Sequence, residues 1–352
     1  MIRICLVAPG WMIGGQAVEA RALVEGFAND PDVRVTLQPI DPRIPAWLAR
    51  LRGIRTLVRL PLYLVGLLRG ILRSDAVHVF TAAFWPFLLT TTPAILLGRL
   101  LGRPVMVNYR DGRARDHIKY RVVRWVLRRA DVLVFPSGFL RDVFAEFGLA
   151  GIVVSNVVDT SRFVYRERSP LRPVLLSCRL LEELYAVENT IRAHQAVRRR
   201  VPDARLLVVG DGDRRTALEA LVRDEQIEGV EFIGSVAHQE MGEWFQRADI
   251  LVNSSRIDNM PHCLIEAFAV GMPVVTTPSG GIPYVVQNLR NGLHVPRDDP
   301  QSMADAIMRL LDEPPLAANL IRTGREDCDA KYSWVAVRRQ WVSLYSALAS
   351  SR

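Results

Sequence analysis

The chain has 352 residues, 49% of them apolar and 23% charged, which is enough to bury two cores of ordinary domain size and excludes a disordered polymer. Its formal charge of +8 suits phosphorylated ligands or an anionic membrane surface, and no nucleic acid is expected among its partners. Cys5, Cys178, Cys263 and Cys328 are scattered, with no CxxC pair and no Cys/His cluster; the spacing argues against a zinc ribbon and predicts small buried thiols in a reducing compartment.

The first apolar run, residues 2–9, lacks the apolar length of a secretory signal and is expected to be a buried strand of a cytoplasmic protein. Gly14-Gly15 follows, between that strand and the first helix. Residues 57–73 are strongly apolar and edged by Arg52, Arg55, Arg59, Arg69 and Arg73; the longest charge-free run, 60–68, is about half of what a membrane-spanning helix needs. Peripheral contact with an anionic bilayer through residues 52–73 and a helix packed in its own domain with snorkelling arginines are both open. Residues 84–102, with Pro86, Pro93 and three threonines, predict a buried helix.

Short Val/Ile/Leu-rich runs recur at 33–39, 76–80, 104–109, 132–137 and 151–156, and again at 173–178, 204–212, 230–236, 249–255, 273–278 and 292–296, with helical patterns between them. Near-continuous apolar runs separated by helices indicate parallel strands covered on both faces, hence an α/β doubly wound sheet, here present twice. The polar stretch 159–173 reads as the linker. The expected organisation is an N-terminal Rossmann-like domain (1–165), a second one (166–330), and a C-terminal helix (331–352) in which Trp334, Val337, Trp341 and Tyr345 recur at helical spacing.

One stretch carries the chemistry. Asp258-Asn-Met-Pro-His-Cys-Leu-Ile-Glu266 follows a strand, with Pro261 placed for the first turn of a helix that Gly271 ends. A carboxylate on the carboxyl side of such a strand can accept a pair of hydrogen bonds from a ribose diol; equally, Asp258 can be a loop cap and Glu266 a solvated helix residue. His262, between them, can approach the ligand side or cap the helix. Gly280-Gly281 lies after the next strand and is expected to open a helix, whose start would favour anionic oxygens just as Gly14-Gly15 would.

In this order the motifs resemble the retaining GT-B glycosyltransferases of family 4, the group 1 type. The resemblance covers nearly the whole chain and is strongest over 173–313; Pro136–Gly148, Ser155–Asp159 and Tyr332–Trp334 also match. It implies two Rossmann-like domains facing a cleft, with the C-terminal helix crossing back to the first. Glu266 takes the family position that binds the nucleotide ribose, and Asp258 the position near the transferred sugar, where the usual residue is glutamate; Asn259 adjoins it. Gly280 and Gly281 would lie along the diphosphate, as would Gly14 and Gly15 of the first domain, Gly234 to Val236 against the base, and Arg179 would neutralise the diphosphate. Asp258 and Arg179 are therefore the catalytic candidates.

Departures from the family are specific. A lysine usual about five residues after the arginine is missing, with Leu184 and Tyr185 there instead, and Arg214 or Arg215 is the nearest substitute in sequence. Tyr284 stands where the family often has glutamate. The family's sugar-contacting histidine would fall near Arg110; Arg110, Asp111 and His117 are acceptor-side candidates, with His117 expected on a helix surface. The resemblance implies retaining transfer of a sugar from a UDP- or GDP-sugar to a saccharide or lipid-linked acceptor, with no cofactor and no bound metal, in bacterial polysaccharide or glycolipid synthesis. A non-transferring epimerase of the same fold and a weakly active nucleotide-binding subunit are the rival classes.

Overall fold

Val, Ile and Leu runs that cannot leave either face in water form two parallel sheets. The computed structural model describes residues 1–11, 14–45, 54–81 and 83–350. The chain divides into two units, Met1–Val157 with Trp334–Arg352, and Val158–Ser333. In the first unit the strands are β1 (Ile2–Ala8), β2 (Val33–Pro39), β3 (Ala76–Thr81), β4 (Val105–Tyr109), β5 (Val132–Phe135) and β6 (Ile152–Val153), ordered β2-β1-β3-β4-β5-β6. In the second they are β7 (Val174–Cys178), β8 (Arg205–Val209), β9 (Val230–Gly234), β10 (Ile250–Asn253), β11 (Val274–Thr276) and β12 (Leu293–His294), ordered β12-β11-β10-β7-β8-β9.

Each sheet carries an apolar cluster on both faces, and each fully buried Val, Leu or Ile in them contributes about 1.5–3 kcal/mol. The topology also fixes where ligands can go. In the second unit the chain runs outward from β7 through β8 and β9, then returns to the other side of β7 as β10. Loops leaving β7 and β10 at their carboxyl ends therefore diverge, which opens a crevice at that switch point. The first unit has the same reversal between β1 and β3.

The boundary between the units falls after Val157, not after residue 165. Val158 pairs with Ser333, its amide donates to the Tyr332 carbonyl at 2.9 Å, and Phe163 is buried against Phe245, so this segment already belongs to the second core. Residues 166–172 are tied to the start of β10: the buried Asp249 carboxylate accepts from Arg166 and Arg172, with Arg168 3.7 Å away. Burial raises the Asp249 pKa, but the hydrogen bonds from Arg172 and Arg166 outweigh it and hold the carboxyl below the ordinary range. That stabilisation is present above the ordinary carboxylate pKa and is lost as the pH falls through the folded value.

Trp334–Ser350 is a helix of the first unit. Its Val337, Trp341, Tyr345 and Leu348 are buried, Tyr345 Oη lies 2.8 Å from His78 Nδ1 on β3, and the Trp341 ring lies over the same imidazole.

Two expectations for the first unit change. The helix Ile54–Leu72 is neither wholly packed nor wholly superficial: Tyr63, Leu67 and Ile71 are in the core, while Leu57, Leu62, Val65, Leu68 and Leu72 face solvent. Arg52 and the Arg55 side chain lie outside the described residues. Residues 87–100 are helical but only half-buried, with Leu88, Leu89, Leu96 and Leu100 exposed, because a helix laid on one face of a sheet can bury only one side. Among the described residues no helix is long and apolar enough to cross a membrane.

Candidate active site

The switch point of the second unit gathers most of the donor-site candidates. Arg179 directly follows β7, and Asp258 lies on the loop after β10. They meet in an ion pair, Arg179 Nη2 to Asp258 Oδ2 at 2.6 Å, with side chains 14% and 11% exposed. Arg179 is therefore not a surface residue. Its Nη1 lies 3.9 Å from Cys263 Sγ, and its guanidinium carbon is 4.1 Å from the centre of the Tyr185 ring. Burial works against the Arg179 charge, yet Asp258 and Cys263 more than compensate, so its pKa stands above the ordinary value. Burial raises the Asp258 carboxyl, with Arg179 and the Asn259 amide pulling the other way.

Glu266 lies inside the helix His262–Val270, which is apolar nearly all round and almost wholly buried. Pro261 caps that helix instead of occupying its first turn, and Gly271 ends it at φ 71. The carboxylate is 5% exposed, so it is not a solvated surface group. Its one side-chain hydrogen bond among the described residues comes from His238 Nε2, 2.8 Å from Oε1. His238 sits on the short turn His238–Glu240 after β9, and its ring packs against Phe163. His262 is half-buried at the helix start.

Gly280-Gly281 corrects an expectation. No α-helix opens there; only a single 3₁₀ turn, Ile282–Tyr284, follows. The glycines serve a close backbone approach: a Cβ on Gly280 would stand 2.0 Å from the Asp258 carbonyl oxygen, and one on Gly281 2.1 Å from that of Asn259. The Gly281 amide donates to the Asp258 carbonyl at 3.0 Å, so the pair shapes the acidic loop. Gly234 ends β9 at φ 87, and Val236 is half-buried beyond it, next to exposed Ser235 and Ala237. Of the two arginines nearest in sequence to the missing lysine's role, Arg215 is engaged by Glu219 and Asp211. The Arg214 guanidinium makes no ion pair among the described residues, and its backbone amide donates to the Leu181 carbonyl at 2.9 Å.

In the first unit Gly14, at φ 146, caps the helix Gly15–Gly26 at the switch point after β1. Arg110 follows β4, donates from Nη2 to the Asn156 side-chain Oδ1 and lies over the Phe80 ring. Asp111 accepts from Arg113 and from the Ala83 amide; burial raises its pKa, but the Arg113 hydrogen bonds prevail and lower it. His117 is buried, not on a helix surface: Nδ1 lies 2.8 Å from Tyr109 Oη, and the ring packs against Phe84 and Phe87. Burial pushes its pKa down to about 4, so the imidazole is neutral at ordinary pH. Sequence reasoning missed His238 and the contact of Tyr185 with Arg179; the missing lysine was the one signal toward the second.

Two parallel α/β units, each with a switch point at the carboxyl ends of its strands, are the build of the GT-B fold class. Solved structures agree on the fold: sucrose-phosphate synthase from Thermosynechococcus elongatus superposes with a TM-score of 0.80 at 20% identity over all of both chains, and Anabaena HepE, in complex with UDP and glucose, with 0.77 at 16% over 99% of this chain and 100% of that one. A family model described as Glycosyltransferase Family 4 matches residues 13–162, and one described as Glycosyl transferases group 1 matches residues 172–313. Among curated relatives, glycogen synthase of Mycobacterium tuberculosis is 28% identical over 78% of this chain and 69% of its own length. The GDP-mannose-dependent alpha-(1-6)-phosphatidylinositol monomannoside mannosyltransferase of the same organism is 31% identical over 65% of this chain, a match spanning 64% of that relative. The chain belongs to the group 1, family 4 glycosyltransferases, enzymes of the hexosyltransferase type.

Proposed function

We propose that this enzyme transfers a sugar, with retention of anomeric configuration, from a UDP- or GDP-sugar to an acceptor hydroxyl in bacterial polysaccharide or glycolipid synthesis. The observation that carries the reading is the pairing of Arg179 with Asp258, with the buried Glu266 on the helix that follows, at the switch point of the second sheet. Glu266 accepts from the ribose hydroxyls, Arg179 stabilises the departing diphosphate, and Asp258 faces the transferred sugar. The acceptor attacks from the side the diphosphate leaves, and the diphosphate takes the acceptor proton. Catalysis then rests on positioning and on charge held in place before reaction, and no cofactor enters the step. Arg110, Asp111 and His117 are assigned to the acceptor side, with the buried His117 bonded to Tyr109, the residue before Arg110.

The curated relatives act on glycogen and on a phosphatidylinositol mannoside by name, which supports a saccharide or lipid-linked acceptor. The test is a donor screen that measures nucleotide diphosphate release with and without acceptor saccharides and lipid extracts. Release that rises with acceptor is expected; nucleotide binding without turnover on any donor would favour the binding-subunit reading instead.

The reading places the enzyme at the inner face of a membrane. The exposed side of Ile54–Leu72 joins Leu57, Leu62, Val65, Leu68 and Leu72 with Arg69, a basic apolar face of the kind that settles on anionic lipid. Co-sedimentation should carry the protein down with phosphatidylglycerol vesicles and less so with neutral ones, and Leu68→Glu should weaken the effect. Equal recovery in the supernatant with and without anionic vesicles would remove the membrane assignment.

A further inference from the structure

The Arg179 guanidinium carbon lies over the Tyr185 ring, 4.1 Å from its centre. A guanidinium covered on one face by an aromatic ring keeps its N–H donors at the edge, aimed in one plane. The Arg179 Nε is buried with no hydrogen-bond partner, so the plane is set by the ring together with the Asp258 and Cys263 contacts. A cation at position 185 would repel Arg179; an aromatic ring attracts it and takes up none of its N–H donors.

The ring itself is held. Tyr185 ends the turn Glu183–Tyr185, and Ala186 follows with φ 48, a left-handed conformation that alanine keeps only where its surroundings impose it. The surroundings are visible: Ser254 Oγ lies 3.0 Å from the Tyr185 carbonyl oxygen and 2.8 Å from that of Ala186, and it accepts from Thr190 Oγ1 at 2.9 Å. Ser254 directly follows β10, whose outgoing loop carries Asp258. One strand end thus anchors both the ring above Arg179 and the carboxylate at its edge. On the other side, Gly210 meets the Arg179 backbone so closely that a Cβ there would stand 2.0 Å from its carbonyl oxygen.

We propose that Tyr185 is a positioning residue for the donor diphosphate, holding the Arg179 guanidinium in the plane that meets the terminal phosphate, so that the second positive charge expected near this position is replaced by better orientation of the first. This rests on the donor-site reading above. The test compares affinities for a nucleoside diphosphate and the matching monophosphate by calorimetry, using whichever of UDP and GDP the wild-type protein binds. Tyr185→Leu should weaken the diphosphate about tenfold and the monophosphate less than about twofold, while Tyr185→Phe, which keeps the ring, stays within about twofold for both. Equal weakening of both nucleotides by Tyr185→Leu would reveal a merely structural role, and a Phe variant as weak as the Leu variant would assign the effect to the hydroxyl; either result overturns the proposal. So would unchanged diphosphate affinity in Tyr185→Leu. If the wild-type protein binds neither UDP nor GDP, the donor-site reading fails first and this inference falls with it.

Discussion

Glu266→Ala should leave a folded protein that binds UDP or GDP at least about 100-fold more weakly, as measured by calorimetry. Two hydrogen bonds from the ribose diol to a charged acceptor are worth about 1.5–3 kcal/mol each, and even one such bond is more than tenfold in affinity. The fold should survive because the substitution removes a buried charge from a helix and replaces it with a strong helix former. Its partner His238 is 22% exposed at the side chain and can turn to water. Circular dichroism and the melting midpoint separate the two effects. Unchanged affinity in a folded variant would move the ribose site elsewhere.

Asp258→Asn should separate chemistry from binding. The substitution keeps the side-chain volume and an acceptor for the Asn259 amide, but removes a negative charge that lies 2.6 Å from Arg179. Freed from its anionic partner, Arg179 meets a diphosphate at least as well as before, so nucleotide affinity should stay within about threefold or tighten. Transfer should fall by about 100-fold, the usual cost of removing one group aligned with charge that develops during reaction. Because burial raises the Asp258 pKa, the acid limb of the wild-type kcat profile should lie above the ordinary aspartate range and be absent from the variant. Equal loss of affinity and rate would sink the sugar-facing role.

The strands were the legible part. Among the described residues, eleven of the twelve strands fall within segments whose apolar runs are bounded by turn residues, and β3 runs one residue past its segment, because a parallel strand buried on both faces has to be written as a continuous apolar run. Glu266 was legible only as a position: a carboxylate one and a half turns into a helix looks the same in sequence whether that face meets water or a sheet. Its burial follows from a helix that is apolar nearly all round, a property of the tertiary packing. The Gly280-Gly281 pair misled because a glycine that permits φ above zero and one that admits a neighbouring carbonyl are the same letter; here close approach to Asp258 and Asn259 decided it. His117 misled for a related reason, since Phe84 and Phe87, which bury it, come from another element. The His238–Glu266 bond joins residues 28 positions apart across two strand ends, and no local pattern encodes it.

The first unit is interrupted: its chain stops at Val157 and resumes only at Trp334, after the whole of the second unit. On a ribosome this sets an order. Synthesis proceeds at about 5–20 residues per second, so the first sheet waits many seconds for its last helix while the second unit, contiguous in sequence, can already close. During that interval Phe27, Phe80 and His78 lack the cover that Trp341 and Tyr345 give them in the finished protein. The earliest-made half of this enzyme is thus the last to mature, and its exposed sheet face is where a nascent-chain chaperone would have something to hold.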